Sequence, residues 1–312
     1  MSSGRRIGVF LRDSFTSGIS IYWVLLRLTL PLLIIIRILD EHFDLIAHSG
    51  RLLAPLMHLV GLPGDAAIVF ATALFLQIYA SLLVLITLWA QLELTTAQVT
   101  VLMTMILIAH ALPVELRITH RAGLPAKYAL LLRLGSAFLL GGILNLIYGD
   151  SYLQQTASLP FEITSTATDN TWTTWALMQA RNWAGIFLIV QVLVLFVNVL
   201  RVTHAEKLLI WLLAPPLRLL GIGEKAVTMT MIGMLLGLSY GGGLLIEESR
   251  KHDMKRRDVI CTLVLLSICH SIFEDTLLVM LVGAHVSGVF FGRVIFSFLL
   301  MVLLNRTLRH TA

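Results

Sequence analysis

Residues 108–116 read "IAHALPVEL" and residues 268–276 read "ICHSIFEDT". Each stretch sets a histidine and, five positions on, a carboxylate into an otherwise apolar run: His110 with Glu115, and His270 with Asp275. An ionisable group inside a bilayer costs about 3 kcal/mol on insertion scales, and it ordinarily faces a protein interior or an aqueous path. The fold turns on whether these stretches lie in membrane helices and on whether their repetition is real.

Composition answers the first question. Of 312 residues, 57% are hydrophobic and 13% charged, and the mean hydropathy is +0.88, against about 25% charged in soluble chains. Runs such as "YALLLRLGSAFLLGGILNLIY" and "WAGIFLIVQVLVLFVNVL" have the length of membrane spans, which need about 20 apolar residues. An all-α, polytopic membrane protein is expected. The basic start, with Arg5, Arg6 and Arg12, lacks a small-residue cleavage site after a short apolar core and reads as a retained cytosolic end. The net charge of +5 sits mostly in short loops, where it reports orientation, and no nucleic-acid partner is expected.

A shift of 160 residues aligns "LLAPLMHLVGLPGDAA" (52–67) with "LLAPPLRLLGIGEKAV" (212–227). The same shift pairs His110 with His270, Gly123 with Gly283 and Arg133 with Arg293. The chain therefore reads as a first membrane repeat over 1–147, an external polar linker over 148–180 carrying Trp172 and Trp175, and a second membrane repeat over 181–312. Clear spans lie at 21–39, 66–90, 98–116 and 128–147, echoed at 183–200, 227–246, 259–280 and 289–304. The distribution of lysine and arginine calls for one more crossing per copy, at 45–60 and 207–220. The expected architecture is thus two inverted repeats of five segments each, with both termini cytoplasmic in a bacterial inner membrane. Four per copy, with 45–60 and 207–220 lying flat on the membrane as amphipathic helices, is the alternative. Inverted repeats place binding sites at their interface.

Three groups of residues are candidates for a substrate or ion path. His110, Glu115, His270, Glu274 and Asp275 are the ionisable set. Histidine suits proton coupling because its ordinary pKa of about 6.5 lies near physiological pH. On a continuous helix His270 and Glu274 share a face, whereas His110 and Glu115 meet only if Pro113 distorts the helix or a partner helix intervenes. An inverted arrangement puts His110 and His270 at different depths, as two ends of a polar path. Gln77, Tyr79 and Tyr240 are hydrogen-bonding candidates, and Gly241, Gly242 and Gly243 form a run suited to an unwound segment or a tight helix contact. Arg133 and Arg293 read as a structural pair for a lipid phosphate or a carboxylate.

On the "LLAP" segments and the "IAHALPVE" and "ICHSIFED" stretches the chain resembles the Gate, or nucleoside-recognition-domain, family of membrane proteins. The likeness runs from about residue 20 to 305. That family's module is also found in spore maturation proteins and in the membrane part of ferrous-iron transporters. The resemblance implies a transporter, with nucleosides as the named solute class. The expected function is secondary active transport of a small polar solute, coupled to protons or cations through the buried histidines and acids. A divalent-metal channel or carrier using His270 and Glu274 is the first alternative, and a non-transporting scaffold the second. No ATP-binding loop, nucleophile arrangement or HExxH pattern is present, so neither an enzyme nor a cofactor is expected. Membrane lipids are expected partners, with self-association left open.

Overall fold

The computed structural model describes residues 3–43, 45–159, 171–202, 215, 217–218, 222–237, 246 and 255–310. Helices are the regular elements among these residues, joined by turns and short loops, with one isolated bridge between Thr95 and Thr156. In chain order the helices are α1 (Ser3–Phe43), α2 (Leu45–His58), α3 (Ala66–Phe75), α4 (Ile78–Leu92), α5 (Thr96–Ala109), α6 (Leu112–Arg121) and α7 (Ala126–Tyr148). They continue with α8 (Trp172–Val202), α9 (Glu224–Leu236), α10 (Arg256–Ile268), α11 (Glu274–Met280) and α12 (Arg293–His310), the last preceded by a π-helical turn at Ser287–Gly292.

α5 is the axis of the first core. It starts with a reciprocal cap: Thr95 Oγ1 accepts from the Gln98 amide (3.2 Å), and Gln98 Oε1 accepts from the Thr95 amide (3.0 Å). From Val99 to Ala109 every residue of α5 is buried, which explains why it is apolar all round instead of on one stripe. Its threonines are satisfied within the helix, Thr100 donating to the Thr96 carbonyl and Thr104 to that of Thr100. α7 packs along α5 through Ala129, Arg133, Ala137, Leu140, Gly141 and Leu144. It turns Leu131, Leu139 and Leu146 outward, Leu146 being 81% exposed. A side chain at Gly141 would run into Met105, so this glycine sets how closely α7 approaches α5.

The two hydrophobic cores interleave the halves of the sequence. The first takes Ile268, Leu278, Val279, Val282, Ala284 and Val289 among residues otherwise from 33–190. The second takes Ala122, Leu124 and Ala129 among residues otherwise from 217–301. α1 lies against α8, with Tyr22 edge-on to Trp183 and Phe187 and Asn198 donating to Ser14 at 3.0 Å. Trp183 is thereby a core residue.

The expected set of crossing helices is overturned. Among the described residues two stretches are long and apolar enough to cross a membrane, Ala126–Tyr148 and Ser287–Leu304, or three if α5 and α6, bent by 40° at their junction, count as one span. Neither five nor four spans per copy is found, and the inverted-repeat architecture goes with them. The physical reason is that apolar runs read as continuous are broken. The stretch 66–90 divides into α3 and α4, 98–116 into α5 and α6, and 259–280 into α10 and α11. A ten-residue helix is about 15 Å long, half of a hydrocarbon core of about 30 Å. The 45–60 segment forms α2. Of 207–220, only 215 and 217–218 fall within the described residues.

What survives is a local correspondence at the 160-residue register. Ala111 and Ser271 both take left-handed backbone (φ 50° and 43°), as do Gly123 and Gly283 (φ 114° and 88°). The amide just past each break ties back to the preceding broken helix: Ala111 donates to Ala73 O (2.9 Å), and Ile272 donates to Met234 O (2.8 Å).

Candidate metal centre

The breaks meet around a cavity of about 430 Å³ lined by Leu76 and Gln77, His110 and Ala111, Gly237, and His270 and Ser271. Each break interrupts a helix ladder, and the carbonyls it frees need partners. His110 ends α5, and its carbonyl accepts from Arg133 Nη2 at 2.9 Å. His270 lies just past α10, and its carbonyl accepts from Arg293 Nη2 at 2.7 Å. Both guanidinium groups are fully buried. The matched arginines thus hold the two histidine-bearing breaks in shape.

The imidazoles are fixed as well. His110 Nδ1 lies 3.0 Å from Ile106 O, and His270 Nδ1 lies 2.8 Å from Leu266 O. A carbonyl oxygen only accepts, so each Nδ1 carries a hydrogen, and a ring that is neutral then presents an Nε2 lone pair on its other side. Those two Nε2 atoms face each other at 3.4 Å. Glu115 Oε1 completes the triangle, 3.2 Å from His270 Nε2 and 3.6 Å from His110 Nε2, while Oε2 is ion-paired with Arg133 Nη1. Three acceptor atoms therefore converge on one point in a buried site, with exposures of 7, 6 and 2% for His110, Glu115 and His270.

Glu115 reaches this point because the helix breaks before it. Ala111 turns the chain, Pro113 occupies the first turn of α6 where its missing amide is harmless, and Glu115 falls in that same turn. The proline therefore sits in an N-terminal first turn and not in the interior of the helix expected over 98–116. The expectation that His110 and His270 mark two ends of a path is corrected by their 3.4 Å contact. His270 and Glu274 do not share a helix, since α10 ends at Ile268 and α11 begins at Glu274. The carboxylate that meets the imidazoles is Glu115, and Glu274 is not one of the three converging groups.

Other expected path residues are placed more loosely. Glu274, Asp275, Gln77 and Tyr79 line the cavity. Tyr240, Gly241, Gly242 and Gly243 lie outside the described residues. The break they were expected to mark has already begun at Gly237, whose φ of 88° suits a glycine. Ala111, Val114, Gly237 and Ser271 also line the cavity, and of these only Gly237, heading the glycine-rich stretch, carries a sequence signal.

No family model matches the chain, and no solved structure matches it. It is 28% identical over 302 residues to YvoD, an uncharacterized membrane protein of Bacillus subtilis (strain 168), covering 95% of this chain and 92% of that protein. With the apolar helices, this defines an all-α, membrane-associated protein. The Gate and nucleoside-recognition reading finds no counterpart in the architecture, and secondary transport by inverted halves falls with the missing spans.

Proposed function

We propose that the protein is a carrier or channel for a divalent transition-metal ion, bound as substrate by His110, His270 and Glu115. The observation that carries this reading is the triangle of Nε2, Nε2 and Oε1 at 3.2–3.6 Å, which holds no hydrogen when both rings are neutral with their Nδ1 positions donating to carbonyls. Facing lone pairs repel, and the arrangement calls for a positive centre between them. Ligand bonds of about 2.0–2.2 Å at tetrahedral angles separate neighbouring ligand atoms by about 3.3–3.6 Å, which is the spacing seen here. Two imidazole nitrogens and one carboxylate suit zinc-like or iron-like ions over calcium and magnesium, which prefer all-oxygen shells.

The charge of Arg133 is offset by its pairing with Glu115, whereas Arg293, among the described residues, bonds only to a neutral carbonyl and leaves a buried positive charge that the ligand set must outweigh. Each Nη2 is committed to a histidine carbonyl, and Arg133 Nη1 is committed to Glu115 Oε2. Helix dipoles do not decide the matter. α3, α5, α9 and α10 end near the cavity while α4, α6 and α11 begin there, so their terminal partial charges largely cancel. The choice of ion rests with the side chains. The fourth coordination position opens on the cavity, through which an ion enters and leaves. Its setting is the bacterial inner membrane, with both termini cytoplasmic as the basic ends favour, and the exposed leucines of α7 facing lipid.

The test is zinc binding by calorimetry on purified protein, paired with zinc flux into proteoliposomes. One ion per chain and saturable flux are expected, with His110→Ala and His270→Ala each weakening binding by roughly tenfold or more, as loss of a metal-site group does. Absence of zinc, iron(II), cobalt and manganese binding overturns the reading.

A further inference from the structure

The 160-residue register extends from the histidines to one carboxylate and one arginine in each half, and the two halves differ in how these pair. His110, Glu115 and Arg133 correspond to His270, Asp275 and Arg293. Both arginines make the same bond to their own histidine's carbonyl. Yet both imidazoles turn to Glu115, and only Arg133 is paired with its carboxylate. Asp275 is 93% buried and borders the same cavity, but among the described residues no hydrogen bond or ion pair reaches its carboxylate. Nε is without a hydrogen-bond partner there in both arginines, and Nη1 of Arg293 lacks the carboxylate that Nη1 of Arg133 meets. Buried charged groups ordinarily find partners, so the second half is a site with its parts present and disengaged.

We propose that Asp275 is the receiving ligand of the ion: a divalent cation held by His110, His270 and Glu115 passes from Glu115 to Asp275 while the imidazole pair retains it. This rests on the metal-carrier reading above. Asp275 binds as its carboxylate, any proton it carries leaving to water in the cavity; one metal–oxygen bond to Glu115 breaks and one to Asp275 forms, so the charge of the ligand set is unchanged once that proton has left. Glu115 keeps Arg133 when it lets go, and it is not stranded. Asp275 begins without hydrogen bond or ion pair and gains one. Aspartate is a methylene shorter than glutamate and stands outside the group of atoms that converge within 4.8 Å. Engagement therefore requires the segment between α10 and α11 to move, and that segment contains the left-handed Ser271 (φ 43°). Glu274, Gln77 and Tyr79, on the same cavity wall, surround the ion after transfer.

The experiment measures zinc affinity by calorimetry and zinc flux in proteoliposomes on the same preparations of full-length protein. For Asp275→Asn the expected result is affinity within about threefold of wild type and flux reduced tenfold or more, with Asp275→Glu recovering most of the flux. Asp275→Ser carries the same test if the asparagine variant does not fold. Wild-type flux in the asparagine variant overturns the proposal and leaves the metal site standing. Loss of affinity in parallel with flux also overturns it, because Asp275 then belongs to the resting ligand set. A wild-type protein that binds none of zinc, iron(II), cobalt and manganese removes the carrier reading itself, an outcome separate from the other two.

Discussion

At the level of single residues, Arg133 shows why the site stays assembled. One guanidinium holds the His110 carbonyl and pairs with Glu115, so it fixes both the break and the carboxylate that faces the imidazoles. Removing one partner of a buried ion pair typically costs about 3–5 kcal/mol, because the other charge is left uncompensated. Arg133→Met is therefore expected to lower stability by about that amount, read from denaturant unfolding in detergent. Arg133→Met with Glu115→Gln should recover part of the loss while still failing to bind zinc. The histidines and acids were legible in the sequence because ionisable groups stand out in apolar runs, and the arginines because they recur at the same register. Ala111 and Ser271 were not legible, since nothing in an alanine or serine announces left-handed backbone.

Helices explain the largest misreading. "IAHALPVEL" carries one break signal, Pro113, and "ICHSIFEDT" carries none, so hydropathy runs straight through both junctions. The breaks are imposed by tertiary ties instead, Ala111 to Ala73 and Ile272 to Met234. A left-handed residue other than glycine costs about 1–2 kcal/mol. Ala111→Gly should therefore raise the melting temperature modestly, and Ala111→Ile should lower it by several degrees and weaken zinc binding. The start of α5 offers an independent check. Thr95→Ala removes one side of the reciprocal cap and should cost about 1 kcal/mol without altering zinc affinity, because the cap lies at the opposite end of α5 from His110. Fraying that reached the metal site would appear as a drop in affinity.

For the whole molecule, an all-α membrane-associated chain was evident from composition, whereas the meeting of His110 and His270 was not. Counting residues along continuous helices assigns the two histidines different depths. Broken helices remove that ruler, and packing of α5 against α10 brings their ends together. The local correspondence thus brings His110 and His270 to one cavity, with Glu115 facing both imidazoles and Asp275 on the same cavity wall. The most direct test is X-ray absorption at the zinc edge on protein loaded with one equivalent of zinc. Two imidazole nitrogens and one carboxylate oxygen at about 2.0–2.2 Å, with an imidazole lost in His270→Ala, are the predicted result. A zinc shell without imidazole, or one unchanged by removal of His270, would contradict the account.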